Sequence, residues 1–215
     1  MIQRNRFRAI NSSSPDRSWP ILLNIWPRIK ERVPQAELHL FYSFFNWEKI
    51  APHYPGQQEL IQKLKNQIKE LEPLDVVYHG RIDQNQLAEE FLKSGVWAHP
   101  TWFSESSCIS AMEAQAAGCR IVTSSIAALN ETVSNRGILI DGDWTSREYQ
   151  NKFIDAVVTA MTIEDNSDRI ILQDYAKEHF CLDKLANDWQ TMFYSLIEEL
   201  KTNPIVKYYP TKNYR

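Results

Sequence analysis

Glycine is scarce in this chain, with six in 215 residues. None fall in a G-x-G-x-x-G run, so the phosphate-cradling turn of a nicotinamide-dependent oxidoreductase is missing. The three cysteines, Cys108, Cys119 and Cys181, have no metal-ligand spacing and do not pair evenly. Reduced thiols in a cytoplasmic protein are therefore the expectation. No apolar run approaches a membrane span, and the opening MIQRNRFRAI lacks the apolar core of a signal peptide. Excess charge of one sign is absent too: 24 basic and 27 acidic residues leave a net charge of −3. That balance gives no reason to expect nucleic acid as a partner. There is no internal repeat and no low-complexity tract.

What is present suits a globular protein, with 43% hydrophobic residues and a mean hydropathy of −0.44. The length fits one sizeable domain with an appendage. Short apolar strands are expected at Phe7–Ile10, Glu37–Phe44, Val76–Gly80, Val96–Ala98, Arg120–Thr123 and Gly137–Ile140. Helical periodicity fills the gaps. Ile21, Leu22, Ile25, Ile29 and Val33 mark one face of the first helix, with Ser18 as its expected N-cap and Pro27 expected to kink or divide it. Leu60, Ile61, Leu64, Ile68 and Leu71 mark the second, and Leu87, Phe91 and Leu92 the third. Residues 147–162, 166–179 and 183–201 read as closing helices, the last carrying a stripe wide enough to bury one face on the domain's own helices. Further apolar and aromatic groups, Tyr194, Tyr208, Tyr209 and Tyr214, are left over, so an exposed patch is expected along this helix and the cleft-facing loops. This alternation predicts a Rossmann-like, doubly wound parallel sheet of about six strands with C-terminal helices. The domain is expected over 1–202, and 203–215 as a flexible tail.

The most informative stretch runs from His99 to Val133. It reads as strand, polar turn, small-residue helix (about Cys108–Ala117), a glycine cap at Gly118 and a second strand. Glu105 precedes the helix and Glu113 lies about two turns inside it, roughly 12 Å apart along a helical axis. The helix start between them, with free N–H groups and a positive dipole end, suits a phosphate. Carboxylate, anion site and carboxylate in line fit a sugar nucleotide: hexose, diphosphate, ribose.

The run Glu105-Ser-Ser-Cys-Ile-Ser-Ala-Met-Glu113-Ala-Gln-Ala-Ala-Gly118, followed by Ile121-Val122 and Glu131-Thr132-Val133, resembles the donor-binding domain of family-4 retaining glycosyltransferases. The resemblance extends from about Phe7 to Leu200 and implies one half of a GT-B fold. It implies that Glu105 is the catalytic group, contacting the donor sugar, and that Glu113 accepts the ribose hydroxyls. It places Ser106, Ser107, Cys108 and Ile109 along the donor diphosphate, Arg17 as its cation and Glu131 on the nucleotide side. Two departures stand out: Ser12 occupies the place of a second basic residue, whose role is either missing or taken by Arg8 or Arg81, and Ser107-Cys108 replaces an aromatic–glycine pair.

No cofactor is implied beyond the nucleoside-diphosphate sugar substrate, and no metal motif is visible. His79 and His99, at strand ends, read as structural, as does the Cys108 thiol. Trp26, Trp97 and Trp102 read as core or site wall. The expected partner is an acceptor domain, absent from this chain, or a second copy of it. The alternative is a non-catalytic sugar-nucleotide-binding or scaffold module retaining the fold.

Overall fold

The structure is a computed structural model that describes residues 2–202. It comprises two compact units, Met1–Ala176 and Lys177–Arg215. The expectation for the tail at 203–215 lies outside the described residues.

In chain order the elements are β1 (Asn5–Asn11), α1 (Pro15–Arg32), β2 (Glu37–Phe41), α2 (Phe45–Ile50), α3 (Gln57–Glu70), β3 (Val76–Gly80), α4 (Gln84–Lys93), β4 (Ser94–His99), α5 (Ile109–Ala116), β5 (Arg120–Ser124), α6 (Leu129–Val133), β6 (Ile138–Ile140), α7 (Arg147–Thr162), α8 (Ser167–His179) and α9 (Leu182–Thr202). The strands form one parallel sheet in the order β3-β2-β1-β4-β5-β6. This is the doubly wound arrangement the alternating pattern predicts.

Period-two alternation divides the core. Ala9, Val96, Ala98 and Val122 join Trp19, Leu22, Trp26, Ile61, Phe153 and Val157 in a layer under α1, α3 and α7. Ile10, Trp97 and Ile121 face the other way, toward Phe91, Ala111, Ala114, Leu129 and Val133 of α4, α5 and α6. Small residues on α5 let it lie close to the sheet, which matters for the groups at its start.

Several boundaries differ from those read in the sequence. Helix α1 begins at Pro15 with Asp16 in its first turn, not after Ser18. Ser18 is buried, and its hydroxyl accepts from Asn11 Nδ2 at 3.1 Å. Pro27 does not divide α1. A proline inside a helix costs about 3 kcal/mol. The fully buried Leu22, Leu23, Ile25, Trp26 and Ile29 around it outweigh that, at about 1.5–3 kcal/mol each. Strand β2 stops at Phe41 because the Ser43 hydroxyl accepts from Phe45 N–H at 3.0 Å and turns the chain into α2.

The amino ends of the central strands are pinned by arginines. Arg120, first in β5, uses all five N–H groups. Nε and Nη2 reach Asp168 at 2.6 and 3.1 Å, Nη1 reaches Ala160 O and Ile163 O at 3.0 Å each, and Nη2 also donates to Asp165 O. Arg169 Nη1 bridges Gly95 O and Gly118 O, each at 2.8 Å. At Gly118 the chain turns from α5 to β5 with φ of +71°, the expected glycine cap.

In the second unit α9 has no buried residue, so the expected exposed apolar patch is present along it while the expected buried face is not. Trp189 is 54% exposed and Phe193 48%, the two rings meeting edge-on at 5.6 Å. Among the described residues, no helix is long and apolar enough to cross a membrane.

Candidate functional site

The strand order reverses between β1 and β4, and in such sheets a crevice opens at the carboxyl ends beside that point. Here a cleft of about 850 Å³ lies among the loops that follow β1, β2, β3 and β4. Its volume falls within the range of small-molecule sites.

Asn11, last in β1, ties the first loop to β4. Its Oδ1 accepts from Trp19 Nε1–H at 3.0 Å and Ser13 N–H at 3.2 Å. Its amide NH2 donates to Ala98 O at 2.8 Å and faces His99 Nδ1 at 3.3 Å. The polar loop Ser12–Ser14 is thereby held along the cleft wall, where Ser13 Oγ meets Ser110 Oγ at 3.4 Å.

The early start of α1 puts Arg17 in its first turn, pointing into the cleft. Nη1 donates to Glu105 Oε1 at 2.8 Å, and the guanidinium lies 4.0 Å from the Phe103 ring centroid. An aromatic face under a guanidinium is a stabilising arrangement of about 0.5–1 kcal/mol at exposed sites. Arg17 and Glu105, separate expectations in the sequence, are partners here.

Cys108 immediately precedes α5 with φ of +62°. This is the left-handed region where the resembled family's glycine costs nothing and an L residue does. The Cys108 side chain is buried, its Sγ 3.5 Å from Ser110 Oγ, and burial pushes its thiol pKa up. A protonated, buried sulfur is a wall, not a nucleophile.

Glu113 lies just over one turn into α5, nearer its start than the sequence suggested. Its carboxylate accepts from Gln84 Nε2, and burial pushes its pKa up. The cleft takes in Arg17, Glu105, Ser106, Ser107, Cys108, Ile109 and Glu113, together with Arg81. Glu131 lies exposed on α6 and the structure does not bring it into the cleft. Its helix acts through the backbone: Ala128 N–H donates to Glu105 O at 3.2 Å and Thr132 Oγ1 to Ser107 O at 2.8 Å. Arg8, one of two expected substitutes for a second cation, is instead engaged with Glu90 and His39.

Sequence reasoning missed Gln84, Phe103 and His99. His99 is fully buried, and burial together with the Arg17 charge holds its pKa down at about 3. One of its ring nitrogens, a Glu105 oxygen and Cys108 Sγ lie within 4.8 Å of one another, the one such group among the described residues with the ligand types of a metal centre. The Asn11 orientation decides its chemistry. The Asn11 NH2, whose two hydrogens also serve Ala98 O and Ser18 Oγ, faces Nδ1, where a ring N–H would meet no acceptor, so the tautomer with its proton on Nε2 fits this environment better.

The description "Glycosyl transferases group 1" belongs to a family model that matches residues 22–178. No curated protein matches the chain. Among solved structures, it is similar to the GtfA/B complex, at 12% identity and a TM-score of 0.68, over 90% of this chain and 36% of that one. It is similar to Anabaena Alr3699/HepE in complex with UDP and glucose, at 20% identity and 0.68, over 89% of this chain and 49% of that one. Sucrose-phosphate synthase from Thermosynechococcus elongatus matches at 16% identity and 0.64, over 89% and 45%. Identities this low speak for the fold alone, and the chain spans less than half the length of each of these structures. The six-stranded parallel sheet is one half of a GT-B fold, and with the family model covering most of its length the chain belongs to the glycosyl transferases group 1 family.

Proposed function

We propose that the cleft binds the nucleoside-diphosphate sugar donor of a retaining glycosyltransferase of the family-4 type. Residues 1–202 serve as the donor half and the acceptor half lies on another stretch of chain or another protein. The observation that carries this reading is the arrangement around α5. Arg17, the helix start at Cys108–Ile109 and the two carboxylates share one cleft at the switch point. A departing nucleoside diphosphate needs a cation and oriented N–H groups. Arg17 supplies the first, with Arg81 in the same cleft, and the turn Ser106–Ile109 the second. Glu113 takes the ribose diol, and Glu105 meets the sugar at the reacting centre. Anabaena Alr3699/HepE, of like fold, was solved with UDP and glucose, which supports the ligand class.

The exposed stripe on α9 supports a partner. Leu185, Trp189, Met192, Phe193, Leu196 and Ile197 are each 45–54% exposed, more apolar surface on one helix than a monomer ordinarily leaves to water. An acceptor domain or a second copy covers it in this reading.

The two glutamates provide the test. Glu113→Gln should weaken UDP and UDP-glucose alike, because the ribose is common to both. Glu105→Gln should leave UDP nearly unchanged and abolish any preference for the sugar-bearing ligand. Charge-assisted hydrogen bonds are worth roughly 1.5–3 kcal/mol, so each loss should be about tenfold or more by calorimetry. Equal effects of both substitutions on both ligands would refute the assignment.

A further inference from the structure

Among the described residues the Glu105 carboxylate has one donor, and a ring nitrogen of His99 lies within 4.8 Å of one of its oxygens. In the free cleft Arg17 Nη1 holds it at 2.8 Å. On its other side stands His99, whose Nε2 is buried with no hydrogen-bond partner among the described residues. The orphan fits best as an N–H: Trp19 and Ser13 fix the Asn11 oxygen, so the Asn11 NH2, which also serves Ala98 O and Ser18 Oγ, faces His99 Nδ1, where a ring N–H would find no acceptor. A buried N–H without an acceptor costs about 1–3 kcal/mol. The nearest anionic acceptor is Glu105, since a ring nitrogen of His99 and a Glu105 oxygen lie within 4.8 Å. Rotation of one carboxylate closes a gap of that size.

We propose that His99 is a positioning residue that takes over Glu105 when Arg17 leaves it. Resting on the donor-site reading, the exchange has a purpose. The diphosphate draws the Arg17 guanidinium away, the Glu105 carboxylate swings to His99 Nε2–H, and the catalytic oxygen is presented at a second, ligand-dependent position. Without His99, a Glu105 released by Arg17 stands almost buried with no donor, the costly state for a carboxylate. No proton is transferred in the exchange. The ring stays neutral because burial and Arg17 keep its pKa near 3.

The exchange is read directly on the imidazole, without any nucleotide. In full-length chain labelled with 15N-histidine, Arg17→Ala removes the competing donor. The Nε2–H resonance of His99 should then move downfield and exchange with solvent about tenfold more slowly, the change expected for about 1.4 kcal/mol of new hydrogen bond. Arg17→Ala combined with Glu105→Ala should lose both changes. A resonance unmoved by Arg17→Ala, or moved equally in the double variant, overturns the proposal. Adding UDP to the unsubstituted chain should reproduce the Arg17→Ala signal. If Arg17→Ala gives the signal and UDP neither binds nor gives it, the exchange stands and the donor-site reading fails. If UDP binds and the His99 signal does not move, the exchange is overturned and the donor-site reading survives.

Discussion

Arg120 and Arg17 each face a carboxylate beside the same central strands, one at the amino end and one at the carboxyl end. Arg120 is 5% exposed, closes all five of its N–H groups and has Arg169 bridging carbonyls close by. Arg17 is 34% exposed, and its one hydrogen bond is to Glu105. Arg120 has every N–H group satisfied, although Nη2 of the neighbouring Arg169 has no partner among the described residues; around Arg17 the fold has left a ring nitrogen of His99 orphaned and a non-glycine residue, Cys108, at positive φ. A protein that only had to be stable would have repaired the second end. The orphaned His99 nitrogen and the left-handed Cys108 lie close together beside this cleft, and that coincidence is the physical argument for a ligand there.

The comparison breaks most severely if Arg120 is removed. Arg120→Met should cost about 3 kcal/mol or more of stability, because it strands carbonyls of Ala160, Ile163 and Asp165 and uncouples Asp168. Arg17→Ala, by contrast, should change stability by less than about 1 kcal/mol, as befits a partly exposed pair. Denaturant unfolding of the two variants measures both, and equal losses would erase the distinction between the ends.

Acid should act more gently. His99 is held near pKa 3 by burial and then Arg17, and His39 near 3 by burial, then Arg8, then His79. Below their ordinary value of 6.5 the unfolded chain binds protons that the folded one refuses. Stability should thus be complete above about pH 6.5 and fall as pH drops toward 3, by at most ~1.4 kcal/mol per pH unit for each ring. His99→Asn should lower the slope in urea titrations between about pH 4 and 7, His39 and His79 supplying the remainder; an unchanged slope would deny His99 its buried neutral state.

A modest effect belongs to Cys108. Cys108→Val, β-branched at positive φ, should lose about 1–2 kcal/mol, whereas Cys108→Gly should stay within about 1 kcal/mol of the parent, relief of strain offsetting chain entropy. Thermal melts in which Val is tolerated as well as Gly would show that the backbone there is not held left-handed.

Much of this was legible in the residues. Apolar positions at helical and strand spacing placed the six strands and most helices, because burial dictates periodicity. The spacing of Glu105, Glu113 and Gly118 marked out the turn, helix and cap beside the cleft, since these are local features. What escaped depended on contacts distant in sequence or on hydroxyl chemistry. Glu113 meets Gln84 and Arg17 meets Glu105 only after the sheet assembles. Helix α2 begins because of one serine hydroxyl, within a stretch whose apolar residues read equally well as strand. His99 looked like a core residue, and its orphaned nitrogen becomes visible only when the Asn11 network fixes the tautomer.

Calorimetric titration of the full chain with UDP, in buffer containing a metal chelator, tests the central claim most directly. The cleft should bind UDP with measurable affinity, and Arg17→Ala should weaken that binding about tenfold while the melting temperature without ligand stays nearly unchanged. Absence of any heat of binding or thermal shift at millimolar UDP, or binding that Arg17→Ala leaves intact, would contradict the account.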